Sequence, residues 1–152
     1  MAVSKLVEPL RKYKWRVEIT SPVVSLTRGG YNKVGGLGNT VGETEYREGG
    51  EEVTVHQLPG LVRGKDVTLS RGMMEDKDFW NLYASIFSGK NDYRFQMIVV
   101  LQNPTTGEDV RAYSVENCFV KDYGFDDLEG LSNDVLNEVI VIKNEGIRYL
   151  KL

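Results

Sequence analysis

The sequence predicts a mainly β fold: two packed antiparallel sheets, a β-sandwich or barrel, with one amphipathic α-helix at about 76–88 and a long protruding arm. Three observations lead there. Several short runs alternate strictly between apolar and polar residues, which is the period of a half-buried strand. One segment alone carries the helical period. Eight of the 16 glycines fall between residues 29 and 50.

At 152 residues, with 41% hydrophobic and 27% charged side chains and a formal charge of −3, the chain fits one soluble domain spanning 1–152. No cluster of Lys and Arg dominates, which argues against a nucleic-acid backbone as a specific partner. Cys118 is the only cysteine, so an internal disulfide is excluded and a reducing compartment is expected. The N-terminal residues lack the apolar run of a signal peptide, and no stretch is long and apolar enough for a membrane helix.

In chain order, "KWRVEIT" sets Trp15, Val17 and Ile19 against Lys14, Arg16, Glu18 and Thr20. A second strand is expected at about 23–28. The glycine-rich region follows, and a Gly-rich arm or hairpin is expected at about 29–60. Within it "ETEYREGGEE" packs five glutamates into ten residues, and "EYREGGEEVTVHQLPG" resumes alternation around Gly49-Gly50. Loops of this length inside a compact domain are uncommon and tend to be functional.

"DVTLS" alternates again. "MEDKDFWNLYASIFSGK" then places Phe79, Trp80, Leu82, Tyr83, Ile86 and Phe87 within about 160° of arc at about 100° per residue. This stripe reads as core, with Trp80 and Trp15 both buried, and Gly89 positioned to end the helix. "YRFQMIVVLQ" becomes apolar on both faces, as a covered strand does. "NPTTGED" has the turn residues to close a hairpin, with Pro104 fixing φ and Gly107 accepting a positive one. "NCFVKDY" and "DVLNEVIVIK" supply two more strands, for about seven in all.

Chemistry finds little support. "GGLGNTVG" lacks the dinucleotide spacing, and "GKD" and "GKN" lack the hydroxyl residue of a phosphate loop. His56 is the only histidine, so neither a zinc site nor a catalytic triad can be built around it. Asp122, Asp126, Asp127 and Glu129 crowd "KDYGFDDLEG" without the spacing of a calcium loop, and read as a solvated acidic turn. No catalytic residue, metal ligand or cofactor is expected, and the chain reads as a non-enzyme.

Taken together, "EYREGG", "LPG", "VTLSRG" and "NEVIVIKNEG" resemble the inner tail tube proteins of contractile phage tails and contractile injection systems. The matching residues are Glu45, Tyr46, Arg47, Glu48, Gly49 and Gly50, then Leu58, Pro59 and Gly60, then Val67, Thr68, Leu69, Arg71 and Gly72. Asn117, Lys121, Glu138, Glu145 and Gly146 fit the ending. Phe119-Val120 departs from the pattern where the family often has a proline, and "DFWNLY" is richer in aromatics than the usual helix.

The resemblance implies a structural subunit whose homohexameric rings join their sheets into one inner barrel and stack into a hollow tube. The tube would belong to a virion tail or injection-system particle assembled in a bacterial host cytoplasm. Sheath, baseplate or spike, tape-measure and terminator proteins are the implied partners. DNA or effector cargo would pass through the lumen without sequence-specific binding, and no stable membrane insertion is implied. The arm is expected to make the inter-subunit and inter-ring contact through Glu45, Tyr46, Arg47, Glu48, Gly49, Gly50, Pro59 and Gly60. A carbohydrate- or protein-binding β-sandwich, with tryptophans stacking on a ligand, is the alternative.

Overall fold

The computed structural model describes residues 9–22, 25–26, 31–46, 49, 56–89 and 91–152. Among the described residues ten strands run in the order β1 (Trp15–Thr20), β2 (Ser25–Leu26), β3 (Tyr31–Gly35), β4 (Asn39–Tyr46), β5 (His56–Gly64), β6 (Val67–Gly72), β7 (Phe95–Gln102), β8 (Asp109–Phe125), β9 (Asn137–Lys143) and β10 (Ile147–Leu150). The helix α1 (Asp78–Ala84) lies between β6 and β7 and passes directly into a 3₁₀ turn, Ser85–Ser88. Every described strand pairing is antiparallel.

One strand belongs to both layers. The first half of β8 pairs with β7 and β10, giving a sheet ordered β2-β1-β7-β8-β10. Its second half pairs with β9, giving β8-β9-β6-β3. The sequence suggested two separate strands here. The change of sheet instead occurs within one 17-residue strand, at Asn117, whose φ of 46° is positive. Asparagine tolerates that conformation better than most residues. Its side-chain amide donates to Glu145 Oε2 at 2.7 Å and steadies the bend. The two sheets face each other without closing into a barrel.

The core lies between them. Val17 and Ile19 from β1, Val67 and Leu69 from β6, Met97 and Val99 from β7, Val115 and Val120 from β8, and Ile140 and Ile142 from β9 are all nearly inaccessible to water. Of these, Val17, Ile19, Val67 and Leu69 are the inward positions that the alternation marked. Phe79 and Leu82 of α1 join the same cluster, so the helix covers part of the space between the sheets. Each such side chain contributes about 1.5–3 kcal/mol when fully buried.

The helix departs from the expected form in length and burial. Only Asp78–Ala84 is α-helical, and Trp80 and Phe87 stand 46% and 68% exposed rather than in the core. Phe79 and Leu82 lie about 60° apart around the axis and take the buried direction; Trp80 sits at the far edge of the apolar arc. The 3₁₀ turn then tightens the winding to about three residues per turn, which moves Phe87 away from the sheets. Trp15 is only partly buried, packed against the margin of the core.

The turn at 103–108 matches its sequence. Asn103 Oδ1 accepts from the backbone N–H groups of Thr105 and Thr106, and Gly107 has φ 73°. The short last strand β10 was not foreseen.

Candidate assembly surfaces

β4 and β5 form a two-stranded ribbon that pairs with no other described strand. It runs from Asn39 opposite Gly64 to Tyr46 opposite His56. The expected arm began ten residues earlier, but Tyr31–Gly35 is β3 and belongs to the sandwich. "LPG" lies within β5. Pro59 sits opposite Glu43, just where the register shifts between Val41 and Glu43. A proline without an N–H is tolerated at such a bulge in an edge ribbon.

The root of the ribbon is tied down. Asn39 exchanges two hydrogen bonds with the backbone of Ile147, at 2.9 and 2.8 Å. Asn144 donates to the carbonyl of Lys65 at 2.8 Å and accepts from the N–H of Gly146 at 2.9 Å. Two glycines are required by this packing. A Cβ on Gly64 would lie 1.8 Å from Asn144 Oδ1, and one on Gly36, where φ is 79°, would lie 2.2 Å from the carbonyl oxygen of Asp66. No side chain fits at either place. At Gly49, by contrast, an added Cβ would meet nothing within 4 Å.

Beyond its root the ribbon is exposed on both faces. Val41, Tyr46, Leu58, Leu61 and Val62 show 47–77% of their surface to water. Of the residues expected to make contacts, Glu45, Tyr46, Pro59 and Gly60 are on this ribbon, and Gly49 is in the turn beyond it. Tyr46 and His56 face each other with ring centroids 6.1 Å apart. Arg47, Glu48 and Gly50, like Val53 and Val55, lie outside the described residues.

A second apolar surface surrounds α1. Trp80, Tyr83 and Tyr123 form a ring cluster with centroids 5.4–5.7 Å apart, and Phe87 meets Tyr83 edge-on at 5.1 Å. Beyond it, Phe125 ends β8, and the loop before β9 presents Leu128, Leu131 and Val135 with 71–102% exposure. Sequence reasoning missed this surface because it assigned the helix aromatics to the core.

Beneath the same helix lies a buried charged cluster. Arg71 is 2% exposed and Glu138 4%. The Arg71 guanidinium donates from Nη2 to Asp76 Oδ1, approaches Glu138 Oε1 at 3.5 Å, and lies 4.2 Å above the ring of Phe79. Its Nε, also 3.5 Å from Glu138 Oε1, makes no hydrogen bond among the described residues. Tyr123 Oη donates to Glu138 Oε2. Asp76 Oδ1 in turn accepts from the N–H of Asp78 at 3.2 Å, which ties the start of α1 to β6. Burial first, then the bond to Glu138, pushes the Tyr123 hydroxyl up to about 12.

The residues behind the sequence resemblance therefore have structural work. Arg71 and Glu138 form the buried pair. Asn117 and Glu145 hold the bend in β8, and Lys121 meets Asp66 at 3.4 Å. Lys143 approaches the same carboxylate at 3.2 Å, and its hydrogen bond, more than that of Lys121, lowers the Asp66 pKa.

The remaining candidates stay apart. Asp122 is on β8, whereas Asp126, Asp127 and Glu129 follow it in the loop. Among the described residues no group of three or more His, Cys, Asp or Glu is arranged to hold a metal ion. Burial raises the Cys118 thiol to about 12, far from the nucleophilic range. No described helix is long and apolar enough to cross a membrane.

The fold has close counterparts. A chain of the anti-feeding prophage baseplate, a 6-fold symmetrised structure, superposes with a TM-score of 0.81 at 19% identity, over 95% of this chain and 97% of that one. A chain of the sheath-tube complex of an extracellular contractile injection system, PVC, in its extended state gives 0.79 at 18% identity, over 95% and 93%. Hcp1 from Flavobacterium johnsoniae is more distant, at 0.51 and 10% identity over 88% and 93%. No protein with a curated description matches. The family model for the T4-like virus tail tube protein gp19 matches residues 11–148. The chain belongs to this tail tube family and is a structural tube subunit.

Proposed function

We propose that copies of this chain join side by side into six-membered rings, that the rings stack into a hollow conduit, and that the β4–β5 ribbon bridges one ring to the next. The ribbon carries this conclusion. An isolated two-stranded hairpin is at best marginally stable in water and needs a third strand or another packing surface. This one offers five large apolar side chains and no packing partner among the described strands. A neighbouring copy supplies the missing surface.

Strand edges point the same way. One sheet ends on β2 and β10, the other on β3, and no further described strand covers them. Closing such sheets into a shared barrel removes edges that otherwise invite aggregation. Barrels of about 16–18 strands already enclose an aqueous channel, and six subunits giving about four strands each would exceed that. The 6-fold symmetrised baseplate and the sheath-tube complex among the structural counterparts support the ring, a surrounding sheath and a baseplate as partners; a tube-terminating cap does the same for a terminator. Tape-measure and spike proteins, passage of DNA or effector cargo without sequence reading, assembly in a host cytoplasm and a purely non-enzymatic role belong to this same proposal.

Electron microscopy of the purified chain tests it. Six-fold rings or hollow rods are expected; dispersed monomers at all concentrations contradict it.

A further inference from the structure

An open groove of about 440 Å³ lies between β1 and β7 on one side and β3 on the other. Trp15, Val34, Val99 and Leu101 line its floor, and Lys12 and Lys33 stand at its rim. Both lysines are exposed. No residue of the chain's own β4–β5 ribbon lines it. Among the described residues neither lysine has an ion-pair partner. The groove thus combines an apolar floor with two exposed lysines that have no ion-pair partner among the described residues.

The ribbon carries the complementary pattern. Residues directly opposite in an antiparallel pair share a face, and alternate residues along a strand share it too. Along β4, Val41, Glu43 and Glu45 alternate onto one face, with Val62, Pro59 and Gln57 their respective partners on β5, which takes up an extra residue at the bulge between Val62 and Pro59. The apolar part of this face lies near the root and its two acids lie farther out, about 7 Å apart along the strand. Neither Glu43 nor Glu45 has an ion-pair partner among the described residues. The opposite face, with Thr44 opposite Leu58 and Tyr46 opposite His56, bears no acid.

We propose that the groove receives the acidic face of the ribbon from a second copy of this chain, with Glu43 and Glu45 against Lys12 and Lys33 and with Val41, Pro59 and Val62 over the apolar floor. The inference rests on the ribbon bridging copies, and adds which face docks and where. The charges fix orientation, and the apolar contact supplies most of the affinity, because desolvation offsets much of an ion pair's attraction.

Charge exchange tests it. All four charged residues are exposed, so their reversal leaves the fold intact, which circular dichroism verifies. The Glu43→Lys/Glu45→Lys chain and the Lys12→Glu/Lys33→Glu chain should each lose about tenfold or more of their assembly into sedimenting rods, since facing like charges repel. The chain carrying all four changes should recover to within a few-fold of the native level. A four-fold variant that assembles no better than the worse parent overturns the docking. A second measurement is independent of charge. A Glu43→Cys chain mixed with a Lys33→Cys chain should form a disulfide-linked pair under mild oxidation. A Thr44→Cys chain, with its thiol on the other face, should form far less. Equal yields from both overturn the choice of face. Native chains that never form rods contradict the tube proposal itself, whereas native rods with failed charge exchange contradict only this docking.

Discussion

Under α1, charged side chains are sealed from water and held by one another; along β4 and β5, apolar side chains stand in water beside acids that have no ion-pair partner among the described residues. Arg71 and Glu138 are almost inaccessible, while Leu61 and Val62 show 77% and 58% of their surface. Ordinary folding favours the reverse in both places. The buried pair is tolerable because Asp76, Tyr123 and the Phe79 ring complete its surroundings within the chain. The ribbon has no such completion among the described residues. On the proposed reading, the sandwich carries the stability of the subunit, and the ribbon carries residues whose partners are other subunits.

The largest expected effect breaks the first half of that contrast. Arg71→Met leaves Glu138 buried without its cation and should destabilise the monomer by about 3–5 kcal/mol in urea unfolding. Adding Glu138→Leu should restore part of the loss, since an apolar pair can replace a buried ion pair. A single variant within about 0.5 kcal/mol of the native chain would mean the cluster does not pin the helix.

A smaller effect sharpens the boundary between the two regions. Gly64→Ala places a methyl group against Asn144 and the backbone of Gly146, and overpacking of this kind costs about 1–3 kcal/mol. For a chain of this size each kcal/mol lowers Tm by roughly 2–4 °C, so scanning calorimetry resolves it. Gly49→Ala, where space is open, should leave Tm nearly unchanged.

The smallest effect is read by pH. Tyr123 keeps its proton up to about 12 in the fold, whereas an unfolded tyrosine releases it near about 10. Ionisation therefore favours the unfolded chain between those values, and stability falls as pH rises from about 10 to 12. The Tyr123→Phe chain should show a shallower alkaline decline; an identical slope would mean the Tyr123 hydroxyl is not buried against Glu138.

Much of the sandwich was legible because period-two alternation reports burial directly. Val17 and Ile19, Val67 and Leu69, and the Asn103–Gly107 turn behave as their spacing indicates. The helix was less legible because a hydrophobic arc states preference rather than available cover. The sheets have room for Phe79 and Leu82, and Trp80 remains outside. Continuity of β8 was hidden because one asparagine with positive φ bends a strand without a glycine or proline to mark it. In the ribbon, charge and glycine content revealed an unusual segment. Which glycines were sterically required emerged only once Asn144 and Asp66 were placed beside Gly64 and Gly36. The pairing proposed between copies would leave no periodic trace in a single sequence.

Deleting residues 43–52 tests the division of roles most directly. The account predicts thermal unfolding within about 0.5 kcal/mol of the native chain, together with loss of rods in electron micrographs. Rods of normal length from the shortened chain, or collapse of its fold, would contradict it.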